Sequence, residues 1–462
     1  MADSTLQDKV SELAAELEVP GVSVGIVHDG EEHFAYAGVT SVENPLPVDE
    51  STLFQFGSTG KTYTATAIMR LVQQGKVDLD APVRTYVPEL KLKDEDVAQR
   101  VTVLQLLNHT AGWEGDLMDD TGSGDDALDK YVARMEQLEQ VSPLGASVSY
   151  NNASLSLAGR LLEHVTGTTY EKAIGDLLLA PLGMNSTFFF PSDVMTRRFA
   201  VGHNQDADGI TVARPWAMPR GNAPAGGMSA NARDQIAWAR FHLGDGTAAD
   251  GTRLLDEASV RRMQEPTVSM PGSALGDHVG ISWLLAEVGG VRTVGHGGTT
   301  NGQHSEFAMI PDRQFAIISM TNCGPNGPQF NHELAKWAQQ HFLGLSNPEP
   351  EPLRLDADQL APYVGRFETI AATVDITAVD GRLSAAVTIK PAMAVALHEA
   401  GEEVPEQPPF VLALLAGDGD RYIVDEGPAK GMKGYFARAG DGTVDGVHLG
   451  GRLAARVALP PV

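Results

Sequence analysis

Phe56-Gly57-Ser58-Thr59-Gly60-Lys61-Thr62 is the stretch on which the reading of this chain turns. Gly60-Lys61-Thr62 has the ending of a phosphate-binding loop, but that motif needs a glycine where this chain has Gln55, so the phosphate-loop reading fails. What is left is Ser58-x-x-Lys61, leading into Thr62 to Gln74, whose apolar spacing predicts a helix closed by Gly75. Residues at i and i+3 share a helix face, which lets the Lys61 amine reach the Ser58 hydroxyl. A serine hydroxyl becomes a useful nucleophile when an adjacent base takes its proton, and a desolvated lysine can be that base because burial lowers its pKa. Taken alone, the spacing recurs by chance, and an N-cap serine followed by a surface lysine is the plainer reading.

Two further stretches change the balance. Tyr150-Asn151-Asn152 opens a second predicted helix, Ala153 to Val165. A phenol near Ser58 and Lys61 can serve as base or proton relay, and the Asn152 amide can hold a substrate carbonyl. A turn-forming Asn pair beside a core tyrosine is the alternative. Gly295-His296-Gly297-Gly298-Thr299 follows a predicted strand, Arg292 to Gly295. Its glycines allow a substrate backbone to approach an edge strand, and backbone N–H groups there can complete an oxyanion hole with that of Ser58. The alternative is a glycine-rich bend with a structural histidine.

Ser58-x-x-Lys61, Tyr150-x-Asn152 and His296-Gly297-Gly298, in that order, resemble the penicillin-recognising serine hydrolases. The chain is similar to their class C β-lactamase branch, which also holds D-alanyl-D-alanine carboxypeptidases, D-aminopeptidases, carboxylesterases and amidases. Leu106-Leu-Asn-His-Thr-Ala-Gly112 and Pro224-Ala-Gly-Gly227 resemble further framework segments, so that the likeness runs over residues 5–345. It implies an α+β fold: an antiparallel sheet flanked by helices beside an all-helical region around residues 75–220. It also implies a serine hydrolase that cleaves amide or ester bonds through an acyl-Ser58 intermediate. Ser58, Lys61 and Tyr150 would be catalytic, with Lys61 or Tyr150 as the base. The N–H groups of Ser58 and Thr299 would hold the oxyanion. Asn152 would orient the acyl group, and His296, Gly297 and Gly298 would line the substrate strand.

One departure bears on substrate. Most β-lactamases of this branch carry Lys-Thr-Gly where this chain has His296-Gly297-Gly298. A histidine supplies a positive charge for a substrate carboxylate only part of the time near neutral pH. The resemblance therefore favours an amidase, peptidase or esterase over a β-lactamase or carboxypeptidase. Acyl transfer in a thioesterase that releases or cyclises peptides is a further reading, as is a β-lactam receptor without turnover.

Composition sets the outer limits. The chain has 462 residues, 42% of them apolar, with 34 Lys+Arg against 60 Asp+Glu and a net charge of −26. That surface repels phosphate backbones and anionic headgroups, so neither nucleic acid nor membrane is expected as a partner. A small molecule or short peptide is the expected partner, with a homo-oligomer as a further possibility. Cys323 is the only cysteine, so no intrachain disulfide forms. The polar, acidic segment Met1–Val10 lacks a basic–apolar leader, which points to a cytoplasmic protein, or a secreted one if a leader has been removed. The histidines are scattered and form no His-x-His-x-Asp or His-Glu-x-x-His cluster, so no metal or cofactor is expected.

Elsewhere, a helix over Leu6–Leu17 precedes a hairpin, Val22–Val27 and His33–Tyr36, turned at His28-Asp29-Gly30. Helices are predicted over Val101–Asn108, Arg233–Leu243 and Gln329–Phe342, and strands over Val279–Ala286, Glu306–Ile310 and Gln314–Met320. Residues 1–345 read as the hydrolase domain and residues 346–360, which contain Ser346-Asn-Pro-Glu-Pro-Glu-Pro352, as a stiff linker. Residues 361–462 alternate short strands (Thr373–Val379, Arg382–Val387, Tyr422–Val424, Gly434–Arg438, Gly451–Ala458) with Gly-Asp turns, as a small antiparallel barrel would. Leu360-Ala-Pro-Tyr-Val-Gly-Arg-Phe367 resembles the start of the lipocalin-like barrel of D-aminopeptidases and related peptidases. There a barrel loop can approach the active site, and Gly427 to Gly434 is the candidate loop here. His304 and His109 read first as structural histidines, Cys323 as buried filler, and Trp113 and Trp216 as either pocket or core residues.

Overall fold

The structure is a computed structural model. It describes residues 4–457 except 118, 207–208, 392–393, 395–407, 418–419 and 428. Residues 1–3 and 458–462, which the expected domain bounds include, lie outside the described residues, as does Ala458 of the last expected strand.

Helix α1 (Ser4–Glu16) leads into the hairpin β1 (Gly21–His28) and β2 (Glu31–Gly38), and α2 (Gly60–Gln73) follows the Ser58 turn. Next come α3 (Asn152–Thr166), α4 (Ala232–Leu243), and the strands β3 (Val268–Ser273), β4 (Gly276–Val279), β5 (Leu284–Val288), β6 (Val291–Gly295), β7 (Gly298–Thr299), β8 (His304–Ile310) and β9 (Phe315–Thr321). Helix α5 (Asn326–Leu343) ends this half of the chain. The strands form one nine-stranded antiparallel sheet in the order β2-β1-β9-β8-β6-β5-β4-β3, with β7 paired to β8. Every residue of β9, and all of β1 but the last, is buried, the pattern of central strands covered on both faces.

Alternation along those strands sorts the two faces. Val22, Val24, Ile26 and Ile317 pack beneath α1 and α5 with Phe330 and Leu334. Phe307, Met309 and Ile318 face a larger core with Tyr63, Ile236 and Trp238, where the Tyr63 and Trp238 rings stack 3.8 Å apart. That core continues into residues 75–220. This region is built of short helices, but it also holds the strand Thr187–Phe188, paired with Ser229–Ala230, and the hairpin His203–Asp206/Gly209–Val212.

The strand expected over Val279–Ala286 is two strands. Ser282 sits between them in the left-handed region (φ 57°), its N–H donating to the Leu107 carbonyl at 2.9 Å, while Ile281 and Trp283 bury into the core. Three consecutive buried apolar-rich positions look like strand continuity in sequence, and only the partner Leu107 shows that the backbone turns. The helix expected from Val101 begins at Val103, because Thr102 caps it by accepting the Gln105 N–H.

Strands β10 (Gly365–Glu368), β11 (Ala372–Val379), β12 (Arg382–Ile389), β13 (Phe410–Leu414), β14 (Arg421–Glu426), β15 (Lys433–Arg438), β16 (Val444–Leu449) and β17 (Arg452–Val457) close into an antiparallel barrel. Phe367, Leu383, Leu412, Tyr422 and Val447 fill its interior. No helix among the described residues is long and apolar enough to cross a membrane.

Candidate active site

Ser58 sits on a single 3-10 turn, Gly57–Thr59, that runs directly into α2. The turn is pinned from the edge of the sheet: the Thr59 hydroxyl donates to the His296 carbonyl at 2.8 Å, and the Ser305 hydroxyl donates to the Phe56 carbonyl at 2.8 Å. Glycine is required on both sides of this contact. A Cβ on Gly57, at φ 53°, would lie 2.7 Å from the Thr299 nitrogen, and one on Gly298 would run into the Phe56 carbonyl oxygen. The Ser58 turn and β7 are therefore in backbone contact at Gly57 and Thr299. Gly298→Ala is expected to cost about 3 kcal/mol of stability, since neither backbone can retreat without breaking the pins. A urea titration measures it, and an unchanged midpoint would show that the contact is looser than described.

Lys61 is the second residue of α2 and is fully buried, at 0% exposure. Its Nζ is 3.1 Å from Ser58 Oγ and donates to the Ala225 carbonyl at 2.7 Å. Loss of hydration holds its pKa well below the usual lysine value; the Asp116 carboxylate opposes that shift and the Arg452 cation adds to it. A neutral lysine amine has a lone pair free to accept the Ser58 proton while it donates to Ala225.

Tyr150 precedes α3, whose N-cap is Asn151: its side chain accepts the Ser154 N–H at 2.8 Å and donates to the Trp113 carbonyl at 2.9 Å. The ring is 8% exposed and lies 4.8 Å from Lys61 Nζ. Burial raises its phenol above the ordinary value, with a hydrogen bond from the Ser58 side and the Arg452 charge pulling the other way. Tyr150 is thus a neutral phenol at physiological pH.

His296 is brought to the same pocket, with its Nε2 3.5 Å from the Tyr150 hydroxyl. Its Nδ1 lies 2.6 Å from the Gly297 carbonyl, which can only accept. That sets the tautomer: Nδ1 carries the proton and Nε2 presents a lone pair to Tyr150. Burial, and then the nearby Lys61, push its pKa down to about 3. The part-time positive charge expected of this histidine is therefore absent at neutral pH. The His109 ring packs against Tyr150 with centroids 4.6 Å apart, and its Nδ1 accepts the Asn151 N–H at 3.1 Å, so it supports the tyrosine from behind.

Asn152 differs most from its expected surroundings. Its Nδ2 donates to Asp116 Oδ1 at 2.7 Å, and Asp116 in turn accepts from Arg452, Nε to Oδ2 at 2.6 Å and Nη2 to Oδ1 at 3.0 Å. Arg452 begins the last barrel strand. Its guanidinium lies 5.4 Å from the Tyr150 ring centroid, and the neighbouring Gly451 carbonyl accepts the Tyr150 N–H at 2.9 Å. The barrel segment at the pocket is thus the β16–β17 turn, Gly450-Gly451-Arg452, and the expectation for Gly427 to Gly434 is corrected. Ala429 and Met432 of that segment pack on the barrel's own core, and Pro428 lies outside the described residues. Neither Asp116 nor Arg452 stands in a recognisable motif. Their only sequence signal is a Gly-Gly-Arg hairpin tip, a pattern shared with many exposed turns.

Trp113 is core, and Trp216 is half-buried with its ring N–H donating to the Ala200 carbonyl at 3.0 Å. His304 stands behind β7, with Nδ1 3.2 Å from the Thr299 hydroxyl. Burial pushes the Cys323 thiol up to about 11, which leaves it unreactive near neutral pH. No group of three or more potential metal-ligating side chains occurs among the described residues.

Comparison with known proteins places the chain in a family. The Beta-lactamase family model matches residues 6–341. Penicillin-binding protein 4 of Amycolatopsis lactamdurans is 32% identical over 371 residues, covering 78% of this chain and 96% of the relative. Among solved structures, SurE superposes with a TM-score of 0.77 at 26% identity over 98% of this chain and 99% of that one, and SurE with D-Leu with 0.75 at 25%. D-amino acid amidase from Ochrobactrum anthropi SV3, complexed with L-phenylalanine amide, gives a TM-score of 0.61 at 26% identity, covering 72% of this chain and 95% of the amidase. With that match spanning the sheet, the helical region and the Ser58, Tyr150 and His296 segments together, the chain belongs to the Beta-lactamase family of penicillin-binding proteins, β-lactamases and amidases.

Proposed function

We propose that the protein is a serine amidase or peptidase that acylates Ser58 with the acyl half of a small amide or short peptide. The observation that carries this reading is the fully buried Lys61 amine 3.1 Å from Ser58 Oγ, its pKa held well below the usual lysine value by loss of hydration. Ser58 Oγ attacks the substrate carbonyl while its proton passes to Lys61 Nζ. The Ser58 and Thr299 N–H groups hold the resulting oxyanion. Collapse breaks the C–N bond, and the Tyr150 hydroxyl protonates the departing amine as Lys61 returns its proton to the phenol. Water then attacks the acyl-serine by the same relay in reverse, with Ser58 as the leaving group. Asn152 orients the acyl group, and His296, with Nε2 3.5 Å from the Tyr150 oxygen, bounds the phenol on the side of the edge strand.

Two observations favour amides over β-lactams. His296 is neutral, so the edge strand supplies no fixed cation for a carboxylate. Similarity to a D-amino acid amidase and to SurE with D-Leu supports a D-configured residue on the acyl side. Intact-protein mass spectrometry tests the reading, with a penicillin, a nitrophenyl ester and a D-alanyl nitroanilide incubated separately. A transient Ser58 adduct with release of nitroaniline or nitrophenol is the expected result, and the relative rates rank amide against ester. A penicillin adduct that persists, with neither chromogenic substrate consumed, would replace this reading with that of a β-lactam receptor.

A further inference from the structure

We propose that Arg452, carried in by the barrel, is a positioning residue of the catalytic centre: clamped on Asp116, it neutralises that carboxylate, draws the Asn152 amide away from Lys61, and leaves the Lys61 lone pair to Ser58. The proposal rests on the acyl-Ser58 reading and adds to it a role for the second domain.

A carboxylate only accepts, so an amide facing it must present its nitrogen. Asp116 Oδ1 therefore decides which way Asn152 points, and Lys61 is left with Ser58 Oγ and the Ala225 carbonyl as its hydrogen-bond partners. Asp116 is also the anion that acts on Lys61. Left alone, it would stabilise the ammonium form and fill the lone pair the reaction needs. Arg452 cancels it through a two-bond ion pair, and its own charge over the Tyr150 ring further disfavours a cation at Lys61. The hairpin is held in place independently of that pair, by the Gly451 carbonyl on the Tyr150 N–H and the Leu453 N–H donating to Ser149 Oγ at 3.3 Å.

The other titratable groups around Lys61 are few. Tyr150 from the start of α3 is a neutral phenol, and His109 and His296 are both held neutral by burial. Glu114, beside Asp116, has its carboxyl raised by burial and by that neighbour, and Lys390 beyond it is paired with Glu368 at 2.7 Å. The Ala225 side contributes only a carbonyl. Burial comes first in lowering the Lys61 pKa, and Asp116 and Arg452 are the pair of opposite fixed charges that tunes it from there.

The two halves of one ion pair then have opposite signatures. In a kcat/KM–pH profile with nitrophenyl acetate on the full chain, the acid limb reports protonation of the base. Arg452→Gln should move that limb to higher pH by roughly one unit, because Asp116 is left uncancelled. Asp116→Asn should move it to lower pH, because the cation remains alone. Arg452→Lys, which keeps the charge, should restore the limb to near its original position. A hairpin that only braces the fold predicts lost rate in both variants with the limb in place, and that result overturns the proposal, as do shifts in the same direction. If Asp116→Asn does not fold, Arg452→Gln against Arg452→Lys decides alone, since the Arg452 side chain is 40% exposed and tolerates exchange. Absence of any Ser58 adduct in the unmodified protein removes the acyl-serine reading itself and this proposal with it, an outcome separate from a normal adduct with unmoved limbs.

Discussion

Ser58→Ala is expected to abolish the covalent adduct and to lower turnover by at least about 10⁴-fold. The size follows from what the hydroxyl does: it is the nucleophile 3.1 Å from the Lys61 amine. The fold should be untouched. The Ser58 side chain bonds only within the site, to Lys61 and Tyr150, and the turn it sits on is pinned by Thr59 and Ser305 rather than by Ser58 itself. The comparison to make is steady-state hydrolysis of the D-alanyl nitroanilide beside a thermal melt of the same preparation. Residual activity above a few per cent with an unchanged melt would sink the acyl-Ser58 mechanism.

Lys61→Met should be nearly as damaging to rate and opposite in its effect on stability. Loss of the base is expected to cost about 10³- to 10⁴-fold in acylation. Folding the native chain strips the Lys61 ammonium of its water and favours loss of its proton, because the folded pKa lies well below the unfolded value. The sign follows from linkage: the unfolded state binds the extra proton, so the stability of the native protein falls as pH drops from the unfolded lysine pKa, near 10.4, toward the folded one. Methionine fills the same space without that penalty. The variant should therefore be more stable than the parent at pH 6, and the difference should shrink by pH 9.5. The orphaned Ala225 carbonyl and Ser58 hydroxyl set a limit on the gain. Urea titrations at the two pH values check it, and a variant less stable than the parent at pH 6 would mean that Lys61 is charged in the folded protein.

How much of this was legible before folding depends on the range of each signal. The Ser58 turn, α2 and the β1–β2 hairpin are local. Their helix spacing, the Gly75 stop and the His28-Asp29-Gly30 turn all lie within a few residues, and the structure places them where the pattern does. The segments that meet at the site were also identifiable, because Ser58-x-x-Lys61, Tyr150-x-Asn152 and His296-Gly297-Gly298 are short and ordered. The split of the expected Val279–Ala286 strand was not legible, since its cause is a hydrogen bond from Ser282 to Leu107, far away in sequence. Nor was the charge state of His296, which depends on burial and on the Gly297 carbonyl rather than on residue type.

The amino-acid sequence by itself determined the family, the chemistry available at Ser58, and the presence of a second, strand-rich module after a proline-rich linker. Those are properties of residue type and short-range spacing. Tertiary structure alone decided that Lys61 is buried away from water, that Asn152 turns toward Asp116, and that the barrel sends Arg452 rather than its 427–434 segment to the pocket. Each of these is set by what surrounds a side chain in space. Asp116 and Arg452 are separated by 336 positions, and no local pattern marks either of them for the other. The reactive groups are written in short motifs, whereas the electric field that tunes them is assembled from fixed charges that only the folded chain brings together.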